Sequence, residues 1–180
     1  IKTNKDQRFP NELYFVGVGM SDKSADQAKQ NAIVEIQKQI SVKIKASTLD
    51  EESSIEKDGK ESYSAKIETS SRLRAEGTAK GVEIAETKKE GKIFYALAVL
   101  EKDKFTSNLK TEIKKTKENV KKLYDEASSL IAGGKTGFGL SNIAKGKKLI
   151  REIRDNRTLL TAATSLTDAE KLDIDENAFA

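Results

Sequence analysis

The segment from Tyr14 to Ser47 constrains the fold of this chain more than any other. It opens within a nearly continuous apolar run, Leu13 to Met20, which is typical of a strand buried on both faces or lying at the centre of a sheet. An alanine-rich stretch that extends to about Ile40 predicts a helix. Val42 to Ala46 then alternate with lysines, as in a strand with one solvent-facing side. The segment therefore predicts a strand, a helix and a second strand, in that order.

The predicted helix has a start signal and a narrow face of small residues. Ser24, followed three residues later by Gln27, matches a capping box. Gly17 and Gly19 interrupt the preceding strand, which would allow the helix to pack closely on it. The residues expected to face the sheet recur at every fourth position: Ala28, Ala32, Ile36 and Ile40.

The next region is harder to interpret. Residues 49–61 are acidic and contain Asp58-Gly59, so we expect a loop or a mobile hairpin tip. Alternation from Tyr63 to Leu73 favours a long strand. A helix over 68–79 is also compatible with the pattern, so both alternatives stay open.

Two alternating segments, Val82 to Thr87 and Ile93 to Leu100, flank a turn that is rich in lysine and contains glycine. This arrangement predicts a β-hairpin. Residues 13–102 are thus predicted to form an α+β domain with a mixed or antiparallel sheet of three to five strands packed on the Ala-rich helix. Residues 1–12 are predicted to be an extended lead-in.

From Asp103 the apolar periodicity becomes helical. Gly133-Gly134 should end a first long helix, and Gly137 and Gly139 should keep the connection loose. Because this connection is short, residues 103–165 are predicted to form an all-α helical hairpin. The predicted apolar positions are Phe105, Leu109, Ile113, Val120, Leu123, Ala127 and Leu130 on the first helix, and Ile143, Leu149, Ile150, Ile153 and Leu160 on the second.

Charge is unevenly distributed, with formal sums of +1 for residues 1–100, +7 for 101–165 and −4 for 166–180. The last segment is an acidic C-terminal tail that could fold back or stay solvated. The basic helices could bind nucleic-acid phosphates or anionic lipid headgroups, although basic residues opposite an apolar stripe are also the ordinary solvent face of a helix. Nucleic acid is the weaker alternative, because no aromatic residues interleave as a stacking platform. The candidate anion-binding face comprises Lys114, Lys117, Lys121, Lys145, Lys148, Arg151 and Arg154.

The composition excludes several chemistries. The chain has no Cys and no His, which excludes thiol nucleophiles, disulfides and imidazole metal ligands. Gly17-Val18-Gly19 resembles the start of a dinucleotide motif, but Asp22 occupies the third glycine position. Gly134-Lys135-Thr136 resembles the end of a P-loop, but it follows a helix and Ser129 stands where the first glycine should be. We therefore predict no catalytic residues, no metal site and no cofactor, and the absence of a long apolar run predicts no membrane span.

A pattern of fold-specifying residues runs through the first hundred positions: Gly-x-Gly after the opening strand, an Ala-rich helix ending in Ile, and a closing Gly-Val … Tyr-Ala-Leu-Ala hairpin. It is carried by Gly17, Gly19, Ala25, Ala28, Ala32, Ile40, Val42, Gly81, Val82, Tyr95, Ala96, Leu97 and Ala98. Over roughly residues 10–104 the chain resembles the bacterial Lpp-twenty lipoprotein family, whose domain is similar to the N-terminal domain of the flagellar assembly protein FlgT.

The resemblance implies a bacterial cell-envelope protein, commonly secreted and anchored to the outer membrane through a lipidated cysteine near its mature N-terminus. Since the chain begins at Ile1 and has no Cys, we expect a leader and that cysteine upstream. The family has no general enzymatic activity. The implied role is a non-catalytic structural or protein-binding component, in flagellar or outer-membrane assembly, with other envelope proteins as partners. The alternative is a basic binding module for anionic lipid or nucleic acid. The side of the membrane and the oligomeric state stay open.

Overall fold

The computed structural model describes residues 7–52 and 81–164, with side chains in the first range described up to Ile44. The described elements are β1 (Tyr14–Ser21), α1 (Ala25–Glu52), β2 (Glu83–Glu90), β3 (Ile93–Glu101), α2 (Lys102–Ala132) and α3 (Thr136–Ala163). They belong to two compact units, residues 1–106 and 107–180. The first unit combines sheet and helix and the described part of the second is helical, which confirms the predicted α+β class with its helical pair.

The sheet is antiparallel and has β3 at its centre. In the described residues the strand order is β1-β3-β2, and every residue of β1 has a partner on β3. A tight turn joins β2 to β3, where Gly91 has a φ of +60°, a left-handed conformation that glycine adopts without a Cβ clash. The predicted hairpin is confirmed, and β2 extends to Glu90. The β2 register shifts between Ile84 and Glu86, as at a β-bulge.

The predicted capping residue begins α1. The Ser24 hydroxyl oxygen accepts a hydrogen bond of 3.1 Å from the backbone N–H of Gln27, which satisfies one N–H of the first helical turn. The Gln27 side chain does not bond back to the backbone N–H of Ser24, as a full capping box would require. Its amide donates to Asn31 Oδ1 at 3.1 Å, one turn further along the helix.

One prediction in the first unit is wrong: α1 does not end near Ile40, and residues 42–46 are not a strand. The helix runs on to Glu52, so residues 49–52 of the predicted loop are also helical. The physical reason is that Ile44 continues the four-residue spacing that ends in Ile40, and both side chains are fully buried. Val42, which a strand would place on the same face as Ile44, is 65% exposed. The predicted strand from Tyr63 to Leu73 and the alternative helix over 68–79 lie outside the described residues.

The glycines of β1 set the distance between the sheet and α1. A Cβ on Gly17 would stand 2.9 Å from Ile36 Cγ1 and would overlap the carbonyl oxygen of Ala32. A Cβ on Gly19 would overlap the carbonyl oxygen of Ala28. The predicted close packing of strand and helix is therefore confirmed. The buried residues of this interface are Phe15, Ala28, Ala32, Ile36, Ile40, Ile44, Ala96, Ala98 and Leu100.

The opposite face of the sheet carries a smaller apolar cluster. Val16, Leu97 and Val99 are buried there, and Phe9 from the predicted lead-in packs against them. The rings of Phe9 and Tyr14 meet edge to face, with centroids 5.3 Å apart. The lead-in is thus fastened to the sheet around Phe9.

In the second unit, α2 and α3 are joined by Gly133, Gly134 and Lys135, and Gly134 has a φ of +77°. Gly133-Gly134 ends the first helix as predicted. Gly137 and Gly139 do not loosen the connection, because both lie inside α3. The helices approach closely at two positions of α3, where side chains of α2 occupy the space that larger residues would fill: Gly139 beside Ile131, and Gly146 beside the Tyr124 ring. The buried apolar residues of the two helices include Phe105, Leu109, Ile113, Val120, Ala127, Ile153, Leu159 and Leu160.

Candidate interaction surfaces

Side chains of α1 cover the outer edge of β1. The side-chain amide of Gln39 donates to the carbonyl of Val16 at 2.7 Å, and that of Asn31 donates to the carbonyl of Met20 at 2.8 Å. Residues of a strand that are an even number apart direct their backbone groups to the same edge. Tyr14 N–H, of the same parity, bonds to the lead-in turn at 2.9 Å, so this edge faces away from β3. Two acceptors that an incoming strand would need are thereby occupied.

Two lysine ammonium groups lie over the ring of Phe15. Lys43 Nζ is 5.1 Å and Lys102 Nζ is 5.0 Å from the ring centroid, within cation–π range. Lys102 Nζ also donates to the carbonyls of Asn11 and Glu12, which ties the lead-in turn to the start of α2. Lys102 therefore holds the lead-in turn in place and also contributes a positive charge to the surface.

The surroundings of Lys102 lower its pKa below the usual 10.5. Partial burial, which disfavours the charged form, is the main cause, and the nearby charge of Lys43 acts in the same direction. The carboxylate of Glu12 opposes both effects. Positive charge is thus concentrated where β1 begins and β3 ends.

The β2 surface is charged and solvent-facing, with each residue either exposed or half-buried. A hydrogen bond from Lys88 to Glu90, reinforced by the charge of that carboxylate, raises the pKa of Lys88. Ion pairs this exposed contribute little to stability, so their main effect is on the charge pattern of the surface. The pairs are Arg8–Glu86 at 2.8 Å, Lys104–Glu83 at 3.3 Å and Lys88–Glu90 at 2.8 Å.

The predicted basic residues of α2 share one side of that helix. Lys114, Lys117 and Lys121 are spaced by three and four residues, so they fall within a sector of about 60° at 100° per residue. Lys114 and Lys121 are exposed and Lys117 is half-buried. These three predicted residues therefore form a continuous basic stripe.

The predicted basic residues of α3 do not share a face. Lys145, Lys148, Arg151 and Arg154 are all exposed, but each follows the last by three residues. This spacing moves the side chains around the helix by about 60° per step, so Lys145 and Arg154 point to opposite sides. The four side chains are thus exposed, but the helix directs them to different sides.

Sequence reasoning missed an apolar feature at the α2–α3 turn. Ile131, Phe138 and Leu140 are exposed there, although all three are large hydrophobic residues. The signal available in the sequence was Gly137-Phe138-Gly139, in which neither neighbour can shield the ring. We refer to Ile131, Phe138 and Leu140 as the apolar tip.

Acidic side chains in the part of the chain that the structure describes do not gather into a metal site: no group of three or more of Asp, Glu, His and Cys is placed to hold an ion. None of the described helices combines the length and the apolar content needed to cross a bilayer. The surface features of the described residues are the β1 edge covered by Asn31 and Gln39, the charged β2 strand, the basic stripe and the apolar tip.

A profile of LPP20 lipoproteins matches residues 2–101. The chain belongs to the LPP20 lipoprotein family. The resemblance predicted from the sequence is thus confirmed, and the match ends at Glu101, the last residue of β3. This family is not a known enzyme family, and membership supports a bacterial cell-envelope location.

Among solved structures, this LPP20-family chain is similar to the secreted protein HP1454 from Helicobacter pylori, with 19% sequence identity and a TM-score of 0.46. The similarity covers 88% of this chain and 58% of HP1454, so the chain spans less than two thirds of that protein's length. No curated protein matches the chain.

Proposed function

We propose that this LPP20-family chain is a non-catalytic structural or protein-binding component of the bacterial envelope, and that it takes part in flagellar or outer-membrane assembly. The observation that carries the proposal is the family match over residues 2–101, which includes β1, α1, β2 and β3. The described interior of this domain consists of glycine contacts and apolar side chains that hold α1 on the sheet. Its outer surfaces are therefore the parts available to partners, which we propose are other envelope proteins.

Within the first unit, the β2–β3 hairpin is the surface that we propose for protein contact. The β1 edge is covered by Asn31 and Gln39, whereas side chains on β2 face solvent. Lys89 Nζ lies 4.8 Å from the ring centroid of Phe94, so the hairpin offers aromatic and charged groups together.

The assembly role is testable by genetic replacement in the bacterium that encodes the chain. Deletion should impair motility or make the outer membrane permeable to a large dye, and the wild-type chain should restore the properties that are lost. The Gly137→Ala variant should restore them equally, since a Cβ there meets open space. A deletion strain with normal motility and normal permeability would contradict the proposal.

The contact surface is testable with a photo-cross-linking amino acid placed in intact cells. At Thr87, an exposed residue of β2, it should capture an envelope protein. At Val34, an exposed residue of α1, it should not capture the same protein. Equal capture from both positions would show that β2 is not a specific surface.

We also propose outer-membrane anchoring through a lipidated cysteine encoded upstream of Ile1. Mass spectrometry of the native protein should find an acylated N-terminal peptide. An unmodified N-terminus would exclude this anchor.

The basic stripe on α2 favours a second candidate function, binding to anionic lipid or nucleic acid. Lys114, Lys117 and Lys121 could contact successive phosphates from one side of the helix. Binding to anionic vesicles or to an oligonucleotide should then weaken steeply between low and moderate salt, and a Lys114→Gln/Lys121→Gln variant should bind less tightly. Binding that is insensitive to salt would exclude this candidate.

A further inference from the structure

The basic stripe on α2 continues one turn towards the start of the helix. Lys110 is exposed and precedes Lys114 by four residues, so it falls within the same sector of about 60° as the rest of the stripe. Four lysines therefore follow one side of α2 over about 16 Å, at 1.5 Å per residue. We call these four residues the lysine row: Lys110, Lys114, Lys117 and Lys121.

The contacts between α2 and α3 fix how the two helices are aligned along their length. Gly139 lies beside Ile131, and Gly146 lies beside Tyr124. A step of seven residues forward on α3 thus matches a step of seven residues back on α2. The helices are antiparallel, and this register gives the level of every residue of one helix on the other.

A hydrogen bond distinguishes the two sides of the helical pair. Asn142 of α3 donates to Glu126 of α2 at 3.3 Å across one side. The lysine row is rotated about α2 the opposite way from Glu126, by about 50 to 110° from the middle of the face that contacts α3. Lys147 and Arg154, both exposed, are rotated about α3 the opposite way from Asn142, by about 90 to 110°. These two cations therefore lie on the same side of the pair as the lysine row, and we call it the basic side.

Residues 107–164 contain six carboxylates, and most of them lie away from the basic side. Helical geometry places three on the opposite side of the pair: Glu112, Glu126 and Glu152. Asp155 lies on the face of α3 that is turned away from α2. Glu118 and Asp125 border the lysine row on the outer flank of α2. The basic side thus combines six cations with two bordering carboxylates and keeps a net positive charge.

The chain itself contains an acidic segment that can reach the basic side. The C-terminal tail, residues 166–180, has a formal charge of −4 and follows α3 within the second unit. The register places Leu160 level with Lys110, so Lys121 lies about 22 Å back along the pair from Thr164. An extended chain covers about 3.3 Å per residue, so the tail carboxylates have a reach of about 13 to 40 Å from Thr164. They are Asp168, Glu170, Asp173, Asp175 and Glu176.

We propose that the C-terminal tail binds along the basic side of the α2–α3 pair, with its carboxylates against the lysine row. Charge complementarity and the length of the tail carry the proposal. Because the tail is joined to α3, its effective concentration at the row is on the order of millimolar, which favours it over a free anion of similar charge. The tail then competes with anionic lipid or nucleic acid for the row. This competition rests on the second candidate function, whereas the contact itself does not.

Zero-length cross-linking tests the contact, because a carbodiimide joins a carboxylate to an amine only where the two groups touch. In the full 180-residue chain, mass spectrometry should find cross-links from the tail to the lysine row, and their yield should fall as salt is added. Lys145 is the internal control, since it is exposed and lies on the opposite side of α3. Absence of cross-links to the row, or equal cross-linking of Lys145, would overturn the proposal.

Mixing chains that carry light and heavy nitrogen isotopes identifies which molecule supplies the tail. Cross-links within one chain support the proposal. Cross-links to the row that join only two different chains would assign the site to the tail of a second copy and would overturn the intramolecular contact.

Co-sedimentation with phosphatidylglycerol-containing vesicles at low salt tests the competition. The Asp173→Asn/Asp175→Asn variant should bind about threefold or more tightly than the wild type, because a less acidic tail leaves the row more accessible. The Glu112→Gln/Glu152→Gln variant changes the net charge equally but on the opposite side of the pair, so it should gain less. Equal gains would show an effect of net charge and overturn the proposal. Cross-links to the row without vesicle binding by any of the three proteins would support the tail contact and contradict the second candidate function.

Discussion

The side-chain amide of Gln39, near the middle of α1, reaches the edge of the sheet and donates a 2.7 Å hydrogen bond to the carbonyl of Val16. Asn31 repeats this contact two helical turns earlier, on Met20. The helix that packs on the face of the sheet thus also covers the backbone at its edge. Pairing with another strand requires free backbone groups at an edge, and these two amides occupy two of the backbone acceptors on the β1 edge.

Gln39→Ala should lower the free energy of unfolding by about 1 kcal/mol, the net contribution of a partly buried hydrogen bond. Urea denaturation followed by circular dichroism measures the change. Gln30→Ala is the matched control on the same helix, where the side chain is exposed, and it should change stability by less than about 0.5 kcal/mol. Equal losses from the two variants would mean that the bond to Val16 contributes nothing.

Gly19→Ala and Gly137→Ala should have effects of opposite sign. A Cβ at Gly19 would overlap the carbonyl oxygen of Ala28, so α1 must move away and stability should fall by about 1 to 3 kcal/mol. A Cβ at Gly137 meets nothing within 4 Å inside α3, so the alanine should add about 0.4 to 1 kcal/mol by restricting the unfolded chain. Thermal denaturation compares both with the wild type. A neutral Gly19→Ala variant would contradict the close packing.

Ile44→Ala and Val42→Ala test the length of α1. Ile44 is fully buried, and its truncation should cost about 2 to 5 kcal/mol, whereas Val42 is largely exposed and its truncation should be near neutral. Chemical denaturation of both variants gives the comparison. If residues 42–46 were a strand, the two side chains would share a face and the two losses would be similar.

Lys102 should titrate below its usual pKa of 10.5, as followed by the NMR shifts of its side-chain methylene protons. Lys43→Gln should raise the pKa of Lys102, because a neighbouring positive charge disappears, and Glu12→Gln should lower it. A pKa of Lys102 that falls on Lys43→Gln substitution would contradict the arrangement around Phe15.

The same shift determines how Lys102 affects stability with pH. Its pKa is lower in the folded state than in the unfolded chain, so the unfolded chain binds more protons between the two values. Charged Lys102 therefore lowers the free energy of unfolding by its full amount below the folded-state pKa. This loss of stability is relieved as pH rises towards 10.5. Stability measured against pH in this window should rise less in a Lys102→Met variant than in the wild type.

The sequence was sufficient to predict turns and helix ends where the chemistry of a residue type allows few backbone arrangements. Gly91 marked the hairpin because its left-handed backbone suits glycine, and Gly133-Gly134 marked the end of α2 for the same reason. Ser24 marked the start of α1 because its hydroxyl can bond to the backbone of the first turn. These predictions needed only the chemistry of a few neighbouring residues.

Predictions about surfaces were less complete. Exposure of the basic residues could be expected from their charge, and the stripe on α2 followed from their spacing. Phe138 was overlooked because a large aromatic residue is expected to be mostly buried, whereas its side chain is 71% exposed.

The amino-acid sequence by itself determined the family pattern, the small-residue contact between β1 and α1, the hairpin and the helical pair, because each depends on glycine, alanine or short-range periodicity. Only the tertiary structure decided that residues 42–46 are helical and that Ile131, Phe138 and Leu140 are exposed near the α2–α3 turn. Val42 and Ile44 satisfy a two-residue period while Ile40 and Ile44 satisfy a helical one, and packing on the sheet buries the second pair. The close approach of α2 to α3 at Gly139, where the Ile131 side chain lies against the backbone of α3, is likewise a contact that no local pattern contains.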